Sequence, residues 1–361
     1  MKMTYLIGNG FDLALGLATG YKSFIGWYLN QPSEGKEVEW LKEHIKDATE
    51  QWSDAELAFG ALSFSECGSD SLLVYDRCYD SFTKGFHKYL TEQNKRLQIP
   101  KDKQNEVATC FLRSTLKLWP FMTDKCGMEY QQALNQGQPI KIVFVTFNYT
   151  DSLEQILGFV QNVPNEFSIE CEKGHPIKVV VENVIHAHGT LASDYVFGVD
   201  VPLQIADEKV RASCERKGGM LKARSAEKIG LMNRSNALEA LHKTDVVVTY
   251  GLSFGETDGS WWSELYVAFK QNIKLIICPY RTDLPDTGWS TRLRCEVFDQ
   301  EKKKVFSTII KRAPKFNEEI ASIDAPRTSV LHPQKVHDGL GKVHQCDFFR
   351  LRYIGKKYVR G

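Results

Sequence analysis

The chain has 361 residues, 42% hydrophobic and 25% charged, with 46 lysines and arginines against 45 aspartates and glutamates. A net charge of +1 excludes a global basic field for nucleic acid, and no stretch reaches the roughly 18 apolar residues of a membrane-spanning helix. Nine cysteines, an odd number with no Cys-x-x-Cys pair, exclude a disulfide framework and a thiolate zinc module, so reduced thiols and a cytoplasmic location are expected.

Residues 3–7 (MTYLI) read as a first strand, too short for a secretory signal before the chain meets glycine. The strand runs into Gly8-Asn9-Gly10-Phe11-Asp12 and then the helix-friendly LALGL. Strand, glycine turn and helix together can present backbone N–H groups to an anion. The dinucleotide spacing is incomplete, because Leu13 stands where a third glycine would fall; a plain tight turn remains the alternative.

Residues 19–138 carry a helical pattern. Residues 72–97 place Tyr75, Cys78, Tyr79, Phe82, Phe86, Tyr89 and Leu90 at helical spacing, and residues 106–134 repeat this with Phe111, Leu112, Leu116 and Trp119. Pro120 should end or kink that second helix. The WSDAE stretch, residues 52–56, opens a helix whose N-terminus suits the carboxylates of Asp54 and Glu56. The whole segment is expected to form a helical insertion, a lid over the carboxyl edge of a sheet.

Residues 142–147 (IVFVTF) are a buried strand that stops at Asn148, where Thr150, Asp151 or Ser152 can cap a helix starting near Leu153. Residues 178–185 (KVVVENVI) form another strand, ending in His186-Ala187-His188-Gly189. Strand alternation would put both histidines on one face. His188, beside a glycine turn, is placed for acid–base work, and His186 is expected to be structural. No third or fourth ligand follows at a metal-site spacing, so no metal is expected. Residues 207–235 are basic and read as a loop or solvated helix faces.

Residues 245–250 (DVVVTY) are a strand, followed by Gly251 to Asp258 (GLSFGETD) and a helix over residues 261–271. Residues 274–278 (KLIIC) form a further strand, and residues 305–310 and 348–354 are strand-like runs in the tail. Strands ending in glycine or polar residues before helices indicate an α/β fold with a doubly wound, mostly parallel sheet. Such sheets bind ligands outside the carboxyl ends of their strands. The expected division is a core of residues 1–18 and 139–293, the insertion at 19–138, and a small β-containing C-terminal extension at 294–361.

Taken together, LIGNGFDLALGL, WSDAE, VTFNYTDSLE, HAHGTL and YGLSFGETD resemble, in this order from Leu6 to Asp258, the AbiH-type bacteriophage abortive-infection proteins. They are similar, more distantly, to the sirtuin-like NAD-binding fold of bacterial defence enzymes. The resemblance implies a Rossmann-like (sirtuin-like) sheet and an anti-phage effector, an NAD glycohydrolase that splits NAD into nicotinamide and ADP-ribose without a metal. It implies Asn148 and His188 as catalytic residues and Gly8, Asn9 and Gly10 along the dinucleotide phosphates. Gly251, Ser253 and Asp258 would lie on the adenosine side, with Asp12 and Asp151 also among the ligand-binding residues. Two departures stand out: the first loop reads Gly-Asn-Gly-Phe-Asp rather than Gly-Ala-Gly-x-Ser, and Asp151 lies three residues after Asn148 rather than two. The missing four-cysteine zinc module argues against protein deacylation. Partners implied are NAD and a phage-derived trigger or associated defence protein; a homo-oligomer is compatible with the sequence. Two alternatives belong to other classes: a non-catalytic sensor of NAD or an ADP-ribose derivative, and a metal-dependent nuclease using Asp54 and Glu56.

Overall fold

β-Branched and aromatic runs form the strands: β1 (Lys2–Ile7), β2 (Ile140–Thr146), β3 (Asn165–Glu170), β4 (Pro176–His186), β5 (Val246–Tyr250), β6 (Lys274–Cys278) and β7 (Thr328–Val330). The computed structural model describes residues 1–116, 128, 131–132, 134–159, 164–170, 176–270, 273–278, 328–330, 336–337, 343–344 and 351–360. The seven strands make one sheet in the order β3-β4-β2-β1-β5-β6-β7. All neighbours are parallel except the edge pair β3 and β4. A separate antiparallel pair joins β8 (Val336–His337) to β9 (Val343–His344). The five strands expected to form the sheet, at residues 3–7, 142–147, 178–185, 245–250 and 274–278, all lie in it. β3 escaped notice because only Phe167 and Ile169 alternate with its polar residues.

Helices cover both faces, because every central strand is apolar on both sides. The helices are α1 (Gly10–Leu15), α2 (Tyr21–Leu29), α3 (Lys36–Asp47), α4 (Ala55–Gly60), α5 (Ser71–Asn94), α6 (Gln104–Leu116) and α7 (Ser152–Leu157). They continue as α8 (Glu208–Lys217), α9 (Lys222–Lys228), α10 (Asn233–His242), α11 (Gly259–Lys270) and α12 (Leu351–Tyr358). On one face Met3, Tyr5, Ile7, Ile142 and Phe144 share a core with residues of α1, α6, α7 and α12. On the other, Leu6, Val143, Val145, Ile185 and Val247 meet α10 and α11, with Trp262 and Tyr266 almost fully buried.

The segment 19–138 does not behave as one unit. α2 to α5 form an aromatic core of their own around Phe24, Phe59, Phe82 and Phe86. That core also takes in Phe197, Val199, Val210, Met220 and Leu221 from the second half of the chain. α6 instead belongs to the sheet: Phe111 packs on Phe11 and Phe144, and Tyr5 Oη donates to the Thr115 carbonyl. The helical cap meets the sheet through Tyr149, just beyond β2, whose ring stands 5.5 Å from that of Phe86.

The strand expected at 348–354 is corrected: from Leu351 the chain is helix α12. Leu351, Ile354 and Tyr358 recur at helical spacing and are buried on the α1 side of the sheet. Trp119, Pro120 and the run 305–310 lie outside the described residues.

Candidate functional site

The order of the strands reverses at β1, whose successors lie on one side (β2, β4) and then the other (β5, β6). In open α/β sheets the crevice at such a reversal is where ligands sit. Register brings the strand ends into one row, with Ile7 beside both Thr146 and Tyr250, Thr146 beside His186, and Tyr250 beside Cys278.

At the centre of that row the loops after β1 and β5 interlock. Gly8 N donates to Tyr250 O at 2.8 Å and Gly10 N to Gly251 O at 3.0 Å. A Cβ on Gly8 would fall 2.6 Å from Gly251 O, and one on Gly251, at φ +64, 2.6 Å from Gly10 Cα. These glycines therefore permit close approach of two backbones. Because their N–H groups already serve carbonyls, a bound phosphate would have to find its donors elsewhere in the cavity.

Asp12, one turn into α1, is fully sequestered beneath the turn after β2. Its Oδ2 accepts from Thr150 Oγ1 at 2.6 Å and its Oδ1 from Ser152 Oγ at 2.5 Å. Burial pushes its carboxyl up from 3.8 to about 6, against the hydroxyls, which favour the ionised form. A folded-state pKa above the unfolded value makes a contribution to stability that is complete below the unfolded pKa of 3.8 and lost as pH rises through about 6. The rise corresponds to ~3 kcal/mol. The stability of wild type relative to Asp12→Asn should fall by about that much between roughly pH 3.5 and pH 7 in urea unfolding. A difference independent of pH would contradict it.

His186 and His188 part company because β4 ends at His186 and the chain turns there. His186 Nδ1 stands 2.9 Å from the Asn148 carbonyl and Nε2 2.6 Å from Glu154 Oε1. Burial disfavours its charge, but Glu154 outweighs this and raises its pKa. His188 Nε2 reaches to 2.9 Å from Asp258 Oδ1, an ion-pair distance, yet the angle leaves it without a well-formed hydrogen bond. Asn148 is only 7% exposed; its Nδ2 makes no well-formed hydrogen bond, although the side chain lies close enough to Asp12 to help hold that carboxyl down.

Above them the helical cap supplies a buried charge cluster. Lys222 Nζ donates to Glu56 Oε2 at 2.8 Å, Asp258 Oδ1 at 2.9 Å and the Thr257 carbonyl at 3.1 Å. Burial opposes the charge on Lys222, but Asp258 and Glu56 outweigh it and raise its pKa. Burial would raise Asp258, yet Lys222 and His188 hold it well below the usual carboxylate range. Glu56 is pushed up by burial against the pull of Lys222. Its Oε1 also accepts from Gly198 N at 3.2 Å and Tyr149 Oη at 3.4 Å. Asp54 caps α4, its Oδ1 accepting from Leu57 N at 3.2 Å.

These groups enclose a cavity of ≈ 760 Å³, within the range of about 300–1,000 Å³ that suits small ligands. Of the residues singled out from the sequence, Asn148, His188, Gly8, Asn9, Gly10, Asp12, Gly251, Ser253 and Asp258 line it. Asp151 does not: it is exposed, and its Oδ1 holds the side-chain amides of Asn94 and Gln155 outside the cavity. Sequence reasoning missed Tyr149 and Lys222, and read Glu56 as a helix-end charge or, in the alternative, a metal-dependent nuclease carboxylate, not as the partner of a buried lysine. The expected solvated role of residues 207–235 fails at Lys222, which is buried while Lys209, Arg216, Lys217 and Lys228 are exposed. A single lysine after Gly218-Gly219-Met220-Leu221 was the available signal. Among the described residues no group of three or more His, Cys, Asp or Glu side chains could hold a metal ion, and no helix is long and apolar enough to cross a membrane.

Fold and site thus define an α/β protein with a roofed, small-molecule-sized cavity at the reversal of a mostly parallel sheet. A protein-family model described as bacteriophage abortive infection AbiH matches residues 4–278, and the chain belongs to that family, whose role is phage abortive infection. No curated protein and no solved structure matches the chain.

Proposed function

We propose that this protein cleaves NAD at the nicotinamide–ribose bond as the effector step of abortive infection. What supports the reading is one observation above the rest: buried Asn148, without a well-formed hydrogen bond at Nδ2, and the imidazole of His188 line one cavity at the sheet reversal. The scissile C–N bond breaks with its electron pair going to the ring nitrogen, so nicotinamide leaves neutral and needs no strong acid. The ribose carbon becomes oxocarbenium-like, as in glycoside hydrolysis. Water then attacks that carbon and gives up a proton to His188, while the Asn148 amide holds the attacking oxygen. Asp258, 2.9 Å from His188 Nε2, offsets the charge the ring gains. In this reading the diphosphate lies toward Asn9, Thr19 and Lys22, which line the same cavity, rather than on the engaged amides of Gly8 and Gly10.

Purified protein incubated with NAD, alone and in lysate from phage-infected cells, should release nicotinamide and ADP-ribose resolvable by chromatography. Binding of NAD without release under either condition would overturn the enzyme in favour of a nucleotide sensor.

A further inference from the structure

The cavity is electrically lopsided. Four carboxylates, Asp12, Asp54, Glu56 and Asp258, line it against two lysines, Lys22 and Lys222. Lys222 is already committed to two of the four, Glu56 and Asp258. Asp54 has no such cation: its Oδ1 takes the Leu57 amide, while its Oδ2 lies beside Gly255 of the loop after β5. Burial raises the Asp54 pKa, the Leu57 amide and Lys222 oppose this, and Asp258 and Glu256 add repulsion. The ionised carboxylate is therefore short of positive charge. Asn148, more than nine-tenths buried, without a well-formed hydrogen bond at Nδ2 and beside Asp12, lines the same cavity and is a second, independent mark of a place for a ligand.

We infer that the capped end of the cavity is a subsite for a cationic ring, and that Asp54 is the side chain that selects it. Resting on the reading above, this fixes which way the dinucleotide lies. The positively charged nicotinamide ring of NAD points under the cap, toward Asp54, and the anionic diphosphate points away from it. The same carboxylate faces the positive charge that passes from the ring to the ribose as the C–N bond breaks. A neutral dihydronicotinamide ring offers it nothing to pair with. Glu56 and Asp258 contribute less selectivity because Lys222 already lies between them, 2.8 Å from Glu56 and 2.9 Å from Asp258.

Asp54→Asn isolates the charge, since asparagine caps a helix about as well as aspartate. Asp54→Ser is the second variant, capping with a hydroxyl. Calorimetry with carba-NAD, which keeps the cationic ring but cannot be hydrolysed, and with NADH reads the selectivity without turnover. Wild type should prefer carba-NAD, and both variants should lose about ten-fold of that preference, the effect of removing one charge near a half-buried site. Affinity for NADH should stay within about two-fold. Equal preference in wild type and variants overturns the assignment, as does a wild type that does not discriminate. The two readings fail separately. A preference lost in Asp54→Asn, in a protein that never cleaves NAD, sinks the hydrolysis and supports the subsite. Cleavage with an unchanged preference sinks the subsite and leaves the hydrolysis standing.

Discussion

Replacing Lys222 by Met should cost the fold about 3–5 kcal/mol in urea unfolding near neutral pH. Methionine keeps the length of the side chain and its apolar stem, so the change is almost purely the loss of a buried cation. Two carboxylates then remain, with side chains only 6% (Glu56) and 18% (Asp258) exposed and no lysine between them. Their mutual repulsion adds to the cost of leaving each desolvated. The deficit should shrink toward acid. Without Lys222 the folded-state pKa values of these carboxylates rise above their unfolded values, and such groups stabilise at low pH and lose that contribution as pH rises. The double change Lys222→Met with Glu56→Gln should recover part of the loss, because one of the two orphaned charges is gone. A loss below about 1 kcal/mol would place the pair among ordinary surface ion pairs and contradict the burial on which the argument stands. Lys222 ties the start of α9 to α4 and to the turn after β5, so the same variant should also raise amide exchange across the cap.

Much of the sheet was legible because its central strands carry a strong local signal. VFV within β2 and VVV within β5 are unbroken β-branched and aromatic runs, and their ends fall at polar or glycine residues. Once parallel pairing is granted, those ends must gather on one edge, which is why Asn148, Gly8 and Gly251 could be grouped without coordinates. What could not be read is anything decided between elements distant in sequence. Lys222 and Glu56 are 166 residues apart, and neither carries a local mark of its partner. The helical cap drew Phe197 and Met220 into its core from beyond β4, while α6 left the segment to cover the sheet. The apolar period of each is helical in either place, so periodicity alone could not assign them. Asp151 shows the converse error: a residue three positions from Asn148 can face away, because it stands at the N-cap of α7 and its side chain is held outside by Gln155 of that helix. The glycines of the first loop were located correctly, but their engagement with Tyr250 and Gly251 depends on the neighbouring loop and was invisible in the motif.

His188→Ala should lower the turnover of NAD by about 10²–10⁴-fold, the usual loss when a general base is removed. Asn148→Ala should fall comparably, because an unpositioned water forfeits the orientation that makes attack effectively intramolecular. Both should bind ADP-ribose within a few-fold of wild type, since Asn9, Thr19 and, on α2, Lys22 are placed by other parts of the chain; the loss is in kcat rather than in KM. His186→Ala provides the contrast. Its two nitrogens are held by Glu154 and the Asn148 carbonyl, so its removal loosens the turn that carries Asn148 and leaves Glu154 unpaired. The expected result is a fall in stability on the order of 1–3 kcal/mol with a smaller effect on turnover per folded molecule. The double variant Asn148→Ala with His188→Ala should be little worse than the more damaged single variant, because positioning and deprotonating the same water act as one unit. Multiplicative losses would mean that the two side chains serve separate steps. Full NAD cleavage in both single variants would mean that the chemistry lies outside this cavity.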